Sequence, residues 1–389
     1  MDFALNEEQL MFQETTRQFL ESKGDLTLPR DYMNGNKQVL EDLWNGLGSL
    51  GFMGINISET YGGLGLGALS LVPILEEMGR SVVPGPYPET VAFTAPLLEA
   101  YGSVEQKQKY LPEIAAGHRK FSLALLEENG ELSPADIQLK AEQRGNDYIL
   151  QGKKLLVPYA DIVDTLIVPV RTGGTSQGEY GISLILVDCK QPNISKQELR
   201  SMDETRKLFN VEFHDVAVPS TQLLGAENEG WAILDQGLNY VNAAFASTMV
   251  GGIERVVEMS TEYAKTRQQF GQPIGRFQAV KHRIVDMKLA LESSRSLSYY
   301  ASWAAENNAE ELAEAVSMAR SFISEAYIKA AGANIQNHGG MGFTWEFDCH
   351  LFLKRARSLG NHLGSPEYHR EKVAKELGWS DVVPEMMML

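Results

Sequence analysis

From about Phe121 to Pro219 the hydrophobic residues of this chain change their period, and that change constrains the fold more than any other feature. YILQGKKLLVPY, DTLIVPVRT, GISLILVD and LFNVEFHDVAVP are short runs rich in Val, Ile, Leu and aromatics, separated by Gly, Asp and Asn. That is the pattern of a small antiparallel sheet structure. On both sides of it the period is helical.

Before the change, Asn6 followed by Gln9 reads as a capping box, so a helix is expected to begin at Glu7. Met11, Thr15 and Phe19 recur every four residues on one face. More helices follow, broken between Asn56 and Gly67, where YGGLGLG can only be loop, and again at Pro84, Pro86 and Pro88. After Gly230, two apolar stripes return: Val280, Ile284, Met287 and Leu291, then Leu312, Val316, Ala319 and Ile323. Both read as bundle core, and Gly339 with Gly340 ends the second long helix. The expected fold is α+β: an N-terminal helical domain (1–118), a middle antiparallel β domain (119–225) and a C-terminal four-helix bundle (226–389). A chain of 389 residues exceeds one comfortable core, which agrees with several packed units.

The formal net charge is −16, which argues against nucleic acid or an anionic membrane surface as a partner. Any phosphate-bearing ligand has to be held by local cations against that field. No apolar stretch is long enough to span a bilayer, and MDFALNEEQL lacks a basic and apolar leader pattern, so a cytoplasmic setting is expected. Cys189 and Cys349 have no metal-ligand spacing around them and read as buried or neutral thiols. His338, His350, His362 and His369 cluster late in the chain without zinc-motif spacing, so no metal is expected.

The stretch TRQQFGQPIGRFQ, Thr266 to Gln278, sets Arg267, Phe270 and Gln278 in a short passage interrupted by Gly271, Pro273 and Gly275. A guanidinium, an aromatic face and an amide so close together could grip an anionic, planar-ended ligand such as a dinucleotide. A helix–helix turn with a solvated Arg has the same spacing. This stretch resembles the signature of the acyl-CoA dehydrogenase family, flavoproteins that oxidise acyl-CoA thioesters between the α and β carbons. QNHGGMGFTWE, Gln336 to Glu346, resembles that family's Q-x-x-G-G-x-G-F segment, and HDVAVPSTQLLGAENEGW resembles its passage from sheet back to helices. The resemblance covers essentially the whole chain.

What the resemblance implies is FAD as cofactor, its flavin held by the sheet domain of one subunit and its nucleotide end by the bundle of a neighbour. The residues matching that second half are Arg267, Phe270, Gln278, Gln336, Gly339 and Gly340. The half facing the chain's own flavin departs from the family pattern. Where the family has T-E-P and G-S-D, this chain has LLEENGELSPAD, and where it has W-I-T, Leu156 stands for the Trp and Pro158 for the Thr. The family's catalytic Glu sits at one of two places, and these are Leu363 and Val241 here, with Asn242 at the position of a following Arg. Glu367 and Asp235 are the nearby carboxylates.

The resemblance therefore implies the non-catalytic partner in an α2β2 acyl-CoA dehydrogenase, similar to bacterial members acting on steroid or bile-acid side chains. An acyl-CoA substrate, a homologous subunit and an electron-transfer flavoprotein would be its partners. Two alternatives are a self-sufficient homotetramer using Glu367 or another carboxylate with its own FAD, and a flavin-dependent oxygenase or oxidase relative.

Overall fold

The computed structural model describes residues 5–175 and 178–379; the first four residues of the N-terminal stretch read above lie outside that range. Six α-helices come first, α1 (Glu7–Ser22), α2 (Thr27–Met33), α3 (Gln38–Ser49), α4 (Val72–Arg80), α5 (Ala95–Tyr101) and α6 (Val104–Ala115), with a π-helical turn at Pro88–Thr94 leading into α5. Eight strands follow: β1 (Phe121–Leu123), β2 (Lys140–Arg144), β3 (Asp147–Pro158), β4 (Thr165–Arg171), β5 (Ile182–Asp188), β6 (Ile194–Leu199), β7 (Leu208–Pro219) and β8 (Leu223–Leu224). Then come α7 (Gly230–Thr266), the hairpin strands β9 (Gln268–Gln269) and β10 (Gln272–Pro273), α8 (Gln278–Glu306), α9 (Leu312–His338), α10 (Cys349–Asn361) and α11 (Pro366–Glu376). Helices, sheet and helices thus succeed one another where the hydrophobic period changes. By compactness the chain groups into two units, one holding Leu28–Ser70 and Pro84–Val241, the other Leu71–Val83 with the chain up to Thr27 and from Asn242 on.

In the first unit the sheet order is β6-β7-β3-β2-β4-β5-β8, with β1 beside β4. Most pairs are antiparallel, as expected, but β1 runs parallel to β4, and β2 meets β4 in parallel at Lys140 and Arg171. Strand direction is a property of the connection, and the long path from β1 to β4 permits a parallel return that strand composition does not reveal. Leu166, Ile167, Val168, Leu184, Ile185 and Leu186 on β4 and β5 are at most 1% exposed. Such continuous apolar runs mark strands covered on both faces.

In the second unit, α1 carries the expected capping box: Gln9 N–H donates to Asn6 Oδ1 at 2.8 Å, and Asn6 N–H to Gln9 Oε1 at 3.0 Å. Its buried face is Phe12, Thr16 and Leu20, one residue on from the Met11–Thr15–Phe19 series, and Met11 is 58% exposed. Both series hold two apolar residues and a Thr four apart, so periodicity fixes the helix but not which series meets α4. The stripe of α9 is buried as expected through Leu312, Val316, Ala319 and Ile323, and on through Ala326 and Ala330; that of α8 is buried only from Met287 to Ala301, and Val280 and Ile284 before it are half-buried. A charge network centred on the buried Glu76, Glu77 and Arg80 joins α1, α4, α7 and α8. Arg17 reaches Glu77, Arg80 reaches Glu254 and Glu258, and Arg295 reaches Glu254 and Glu76. Cys349 in this unit and Cys189 in the other are buried free thiols, each pushed up to about 12 chiefly by burial.

Candidate functional site

The first motif folds as a hairpin at the end of α7. Arg267 N–H still donates to Tyr263 O at 2.8 Å, then β9 pairs with β10 through Gln269–Gln272 and Gln268–Pro273. Phe270 and Gly271 are the two turn residues, with φ of 53° and 76°. Positive φ at both central positions is the two-residue hairpin turn whose twist matches its strands, normally built from Asn-Gly or Asp-Gly. A phenylalanine there is strained, and the strain presents its ring almost wholly to solvent, 90% exposed. The ring is braced only edge-on by Phe277, centroids 5.9 Å apart. Arg267 is exposed, with no ion pair among the described residues, and its carbonyl accepts from Ile274 N–H at 2.9 Å. Phe277 caps α8, so Gln278 opens that helix and is exposed.

The second motif is the end of α9. Gln336 is exposed, and Gly339 stops the helix at φ 60°, ψ −136°, a conformation open essentially to glycine alone. A Cβ added at Gly339 or Gly340 would meet nothing within 4 Å. Gly342 differs, since a Cβ there would lie 2.6 Å from Ile335 O. Packing within the chain therefore explains Gly342, whereas Gly340 leaves bare backbone facing outward. Close by in the chain, Phe343 is 87% and Trp345 55% exposed, the latter stacked on His350 and covered by the Lys354 ammonium at 4.5 Å.

The two motifs are tied together by residues that spacing did not single out for this role. His338, grouped above with the late histidines, stacks on Tyr263 at the end of α7, and its ring Nδ1 donates to Asn334 O at 2.9 Å. Burial holds its pKa below the usual histidine value despite that hydrogen bond, so the ring is neutral at neutral pH. Ser260 Oγ donates to Asn334 Oδ1 at 2.8 Å, and Arg283 Nη1 on α8 to Asn337 Oδ1 at 2.9 Å. The signal was a helical one: Asn334, Asn337 and His338 share a face at i, i+3 and i+4.

At the two positions where the resemblance places the base, the side chains are buried. Val241 is 0% and Leu363 6% exposed. Leu363 has φ 54°, and its carbonyl accepts from Asn242 Nδ2 at 3.3 Å. The following helix covers it with His369, which burial and the nearby Arg320 and Lys372 hold down to about 2, hence uncharged. Glu367 points away: its side chain is 77% exposed, and hydrogen bonds from its own backbone N–H and from Ser365 depress its pKa. A general base for a weakly acidic C–H needs the opposite, a carboxylate raised by burial.

In the sheet unit, Lys154 is fully buried and donates to Glu127 Oε1 at 2.6 Å, and Glu127 also accepts from the backbone N–H groups of Gln138 and Leu139. Desolvation lowers the Lys154 pKa against the pull of that carboxylate. Just beyond, the β3–β7 register slips between Lys154 and Val157, and in the slip Leu156 takes φ 53° and turns 46% exposed. Pro158 pairs with Leu208 and is buried.

Comparison with known proteins adds the following. The chain matches the family described as acyl-CoA dehydrogenase, N-terminal domain, over residues 6–118 and acyl-CoA dehydrogenase, C-terminal domain, over residues 228–378. It is 30% identical to the probable acyl-CoA dehydrogenase YngJ of Bacillus subtilis (strain 168), covering 97% of this chain and 100% of that one. It is also 30% identical to the L-prolyl-[peptidyl-carrier protein] dehydrogenase of a Serratia species, over 88% and 90% of the two chains. Among solved structures it resembles butyryl-CoA dehydrogenase from Megasphaera elsdenii, with a TM-score of 0.91 at 25% identity, covering 97% and 100%. Among the described residues no helix is long and apolar enough to cross a membrane.

Proposed function

This chain belongs to the acyl-CoA dehydrogenase family, FAD-dependent oxidoreductases acting on CH–CH groups, and from that premise we propose that it is the non-catalytic partner in a two-chain member of it. In this reading its bundle completes the FAD site of a homologous subunit in an α2β2 assembly. The substrate is an acyl-CoA, desaturated between its α and β carbons, and an electron-transfer flavoprotein takes the electrons onward.

The observation that carries the reading is the pair of buried aliphatic side chains, Val241 and Leu363, where the family's base stands. When bound, FAD supplies the acceptor for the hydride leaving the β carbon as a carboxylate takes the α proton. Neither a valine nor a leucine can take that proton, and the exposed, pKa-depressed Glu367 is poorly suited to it. The proton therefore goes to a carboxylate of the homologous subunit.

For the nucleotide end of FAD the residues present fit. Arg267 offers a two-pronged cation for phosphate oxygens, Phe270 an exposed ring face, and Gln278 and Gln336 amides for polar edges. Gly339 and Gly340 leave room for close approach, since a Cβ at either meets nothing in the chain. For the chain's own flavin ring the sheet residues do not fit the family pattern: Leu156 has no ring to stack, and Pro158 has neither a hydroxyl nor a backbone N–H.

The test is to purify the chain alone and together with a homologous chain that carries the Glu. Stoichiometric flavin absorbance and acyl-CoA-dependent dye reduction are expected only from the pair. Full flavin content and turnover from the isolated chain would overturn the proposal.

A further inference from the structure

The helix α11 is anchored by very few side chains. Of its 11 residues only Pro366 and His369 are buried, and the others are half-buried or exposed. On its outer side Arg370 pairs with Glu325 of α9, their side chains 51% and 35% exposed, and a surface pair of this kind holds little. Leu363 and Gly364, with φ of 54° and 118°, turn the chain sharply ahead of the helix. His369 lies beneath that turn, so close that a Cβ at Gly364 would come within 2.6 Å of its Nε2. The docking of α11 therefore depends on one imidazole.

The surroundings of that ring suit it only without charge. His369 is 2% exposed, neither ring nitrogen has a full hydrogen bond among the described residues, and a weak contact with the Leu363 backbone does not offset burial. From α9 it faces Arg320, which donates to the Leu359 and His362 carbonyls at 3.0 and 2.6 Å. From α11 itself it faces Lys372, and Tyr368 lies edge-on at 5.3 Å. On the α7 side Asn242 is uncharged and donates to Leu363 O at 3.3 Å, and His362, the other histidine of this corner, is edge-on to Phe245 at 5.2 Å. The charges acting on the ring are thus two cations, so a proton on it would be both buried and repelled.

We propose that α11 is an acid-released flap: a proton on His369 undocks the helix and uncovers Leu363 and Gly364, while α7 and α9 stay folded. Docked, the ring has its pKa held at about 2, and once released it returns to the ordinary 6.5. A group that binds its proton more weakly in the docked state favours docking at high pH. Docking is therefore at full strength above pH 6.5 and weakens about tenfold for each unit that the pH falls below it.

Hydrogen exchange of the full-length chain, read by mass spectrometry at half-unit steps between about pH 7.5 and pH 4.5 and expressed as protection factors, tests the flap. The amides of α11 are expected to lose protection by about tenfold per unit below pH 6.5, while those of α7 and α9 keep theirs. His369→Leu stays apolar and cannot take the proton, so it is expected to hold α11 protection constant over this range. Glu325→Gln breaks only the outer pair and is expected to lower α11 protection at every pH without changing its slope. His362→Gln is expected to keep the wild-type response. Wild-type α11 protection that stays constant down to pH 4.5, or that falls in step with α7 and α9, would overturn the flap, as would an equal fall in His369→Leu or a lost response in His362→Gln. Neither flavin nor turnover enters these readouts, so they are independent of the proposed function.

Discussion

The imidazole of His338 lies against the ring of Tyr263, centroids 4.3 Å apart and planes 28° from parallel. This stack joins the last turn of α7, from which the Arg267 hairpin springs, to the last turn of α9, where Gly339 and Gly340 begin. Phe347 packs on both rings, at 6.4 Å from Tyr263 and 5.5 Å from His338. Packing of Tyr263, His338 and Phe347 therefore couples the two halves of the proposed grip, and the hydrogen bond to Asn334 O, one turn back on α9, orients the His338 ring.

Replacing His338 by Ala removes the stack and opens a void beside Tyr263 and Phe347. A loss of about 2 kcal/mol in urea unfolding is expected, from the ring contact and the cavity together. Because the two motifs would lose their common anchor, flavin retained by the two-chain assembly is expected to fall as well. His338→Phe restores ring area without the hydrogen bond and is expected to recover part of the stability.

Arg267 differs, since the chain does not use its side chain for packing or for an ion pair among the described residues. Arg267→Ala is expected to leave the melting temperature of the isolated chain unchanged within about 1 °C, as for an exposed residue outside any network. Flavin affinity of the assembly is expected to drop by roughly tenfold or more, the worth of a charge-assisted contact to phosphate. Lysine is not expected to rescue it fully, because the planar fork is lost. Equal flavin affinity in wild type and Arg267→Ala would return this residue to a solvated turn.

Gly340→Leu separates packing from ligand approach. A Cβ there meets nothing, and its φ is not positive, so thermal unfolding of the isolated chain is expected to change by less than about 0.5 kcal/mol. Flavin content of the assembly is expected to collapse, because the side chain occupies space that the bare backbone leaves open.

Much of this was legible in the sequence, and the exceptions have physical reasons. The Asn6–Gln9 capping box, the α9 stripe and the Gly339 stop are local, and local rules found them. The inner face of α1 was not legible, because Met11–Thr15–Phe19 and Phe12–Thr16–Leu20 satisfy the same period, and only packing buries the second. The parallel pairing of β1 with β4 depends on how a long connection returns, which no strand composition encodes. Phe270 reads as an apolar residue near a glycine, and its left-handed turn is visible only once Gln269 is found paired with Gln272. His338 was visible in the sequence, but as one of a cluster of histidines; its partner Tyr263 is on another helix.

Leu363→Glu tests whether a base can simply be put back. Leu363 is 6% exposed beside the uncharged His369, and the nearby Arg320 already donates to the Leu359 and His362 carbonyls, so a new carboxylate there is buried and has to compete for its cation. The variant is expected to be less stable than wild type by about 2–4 kcal/mol at pH 8 and to recover as the carboxyl is protonated toward pH 5. In the isolated chain it is expected to give no turnover, because Leu156 and Pro158 still stand where the flavin ring contacts belong. Dye reduction by the isolated variant would show that the sheet half is competent after all.

Glu76 gives the chain a pH dependence away from the candidate site. It is 1% exposed among α4, α7 and α8, and burial, only partly offset by Arg295, raises its pKa from 4.5 to about 7, with Glu254 and Glu77 adding to the rise. Tyr299 faces the same carboxyl, and Arg80 bridges Glu77 to Glu254. A carboxyl with a raised folded-state pKa binds its proton more tightly when folded. Its stabilising contribution is complete below pH 4.5 and is lost as pH rises to about 7, by about 3 kcal/mol at most. Glu76→Gln mimics the protonated form, so it is expected to flatten the stability profile across this window and to be more stable than wild type at pH 8. Urea unfolding of both proteins at half-unit pH steps measures it, and parallel profiles would mean that Arg295 keeps Glu76 ionised throughout.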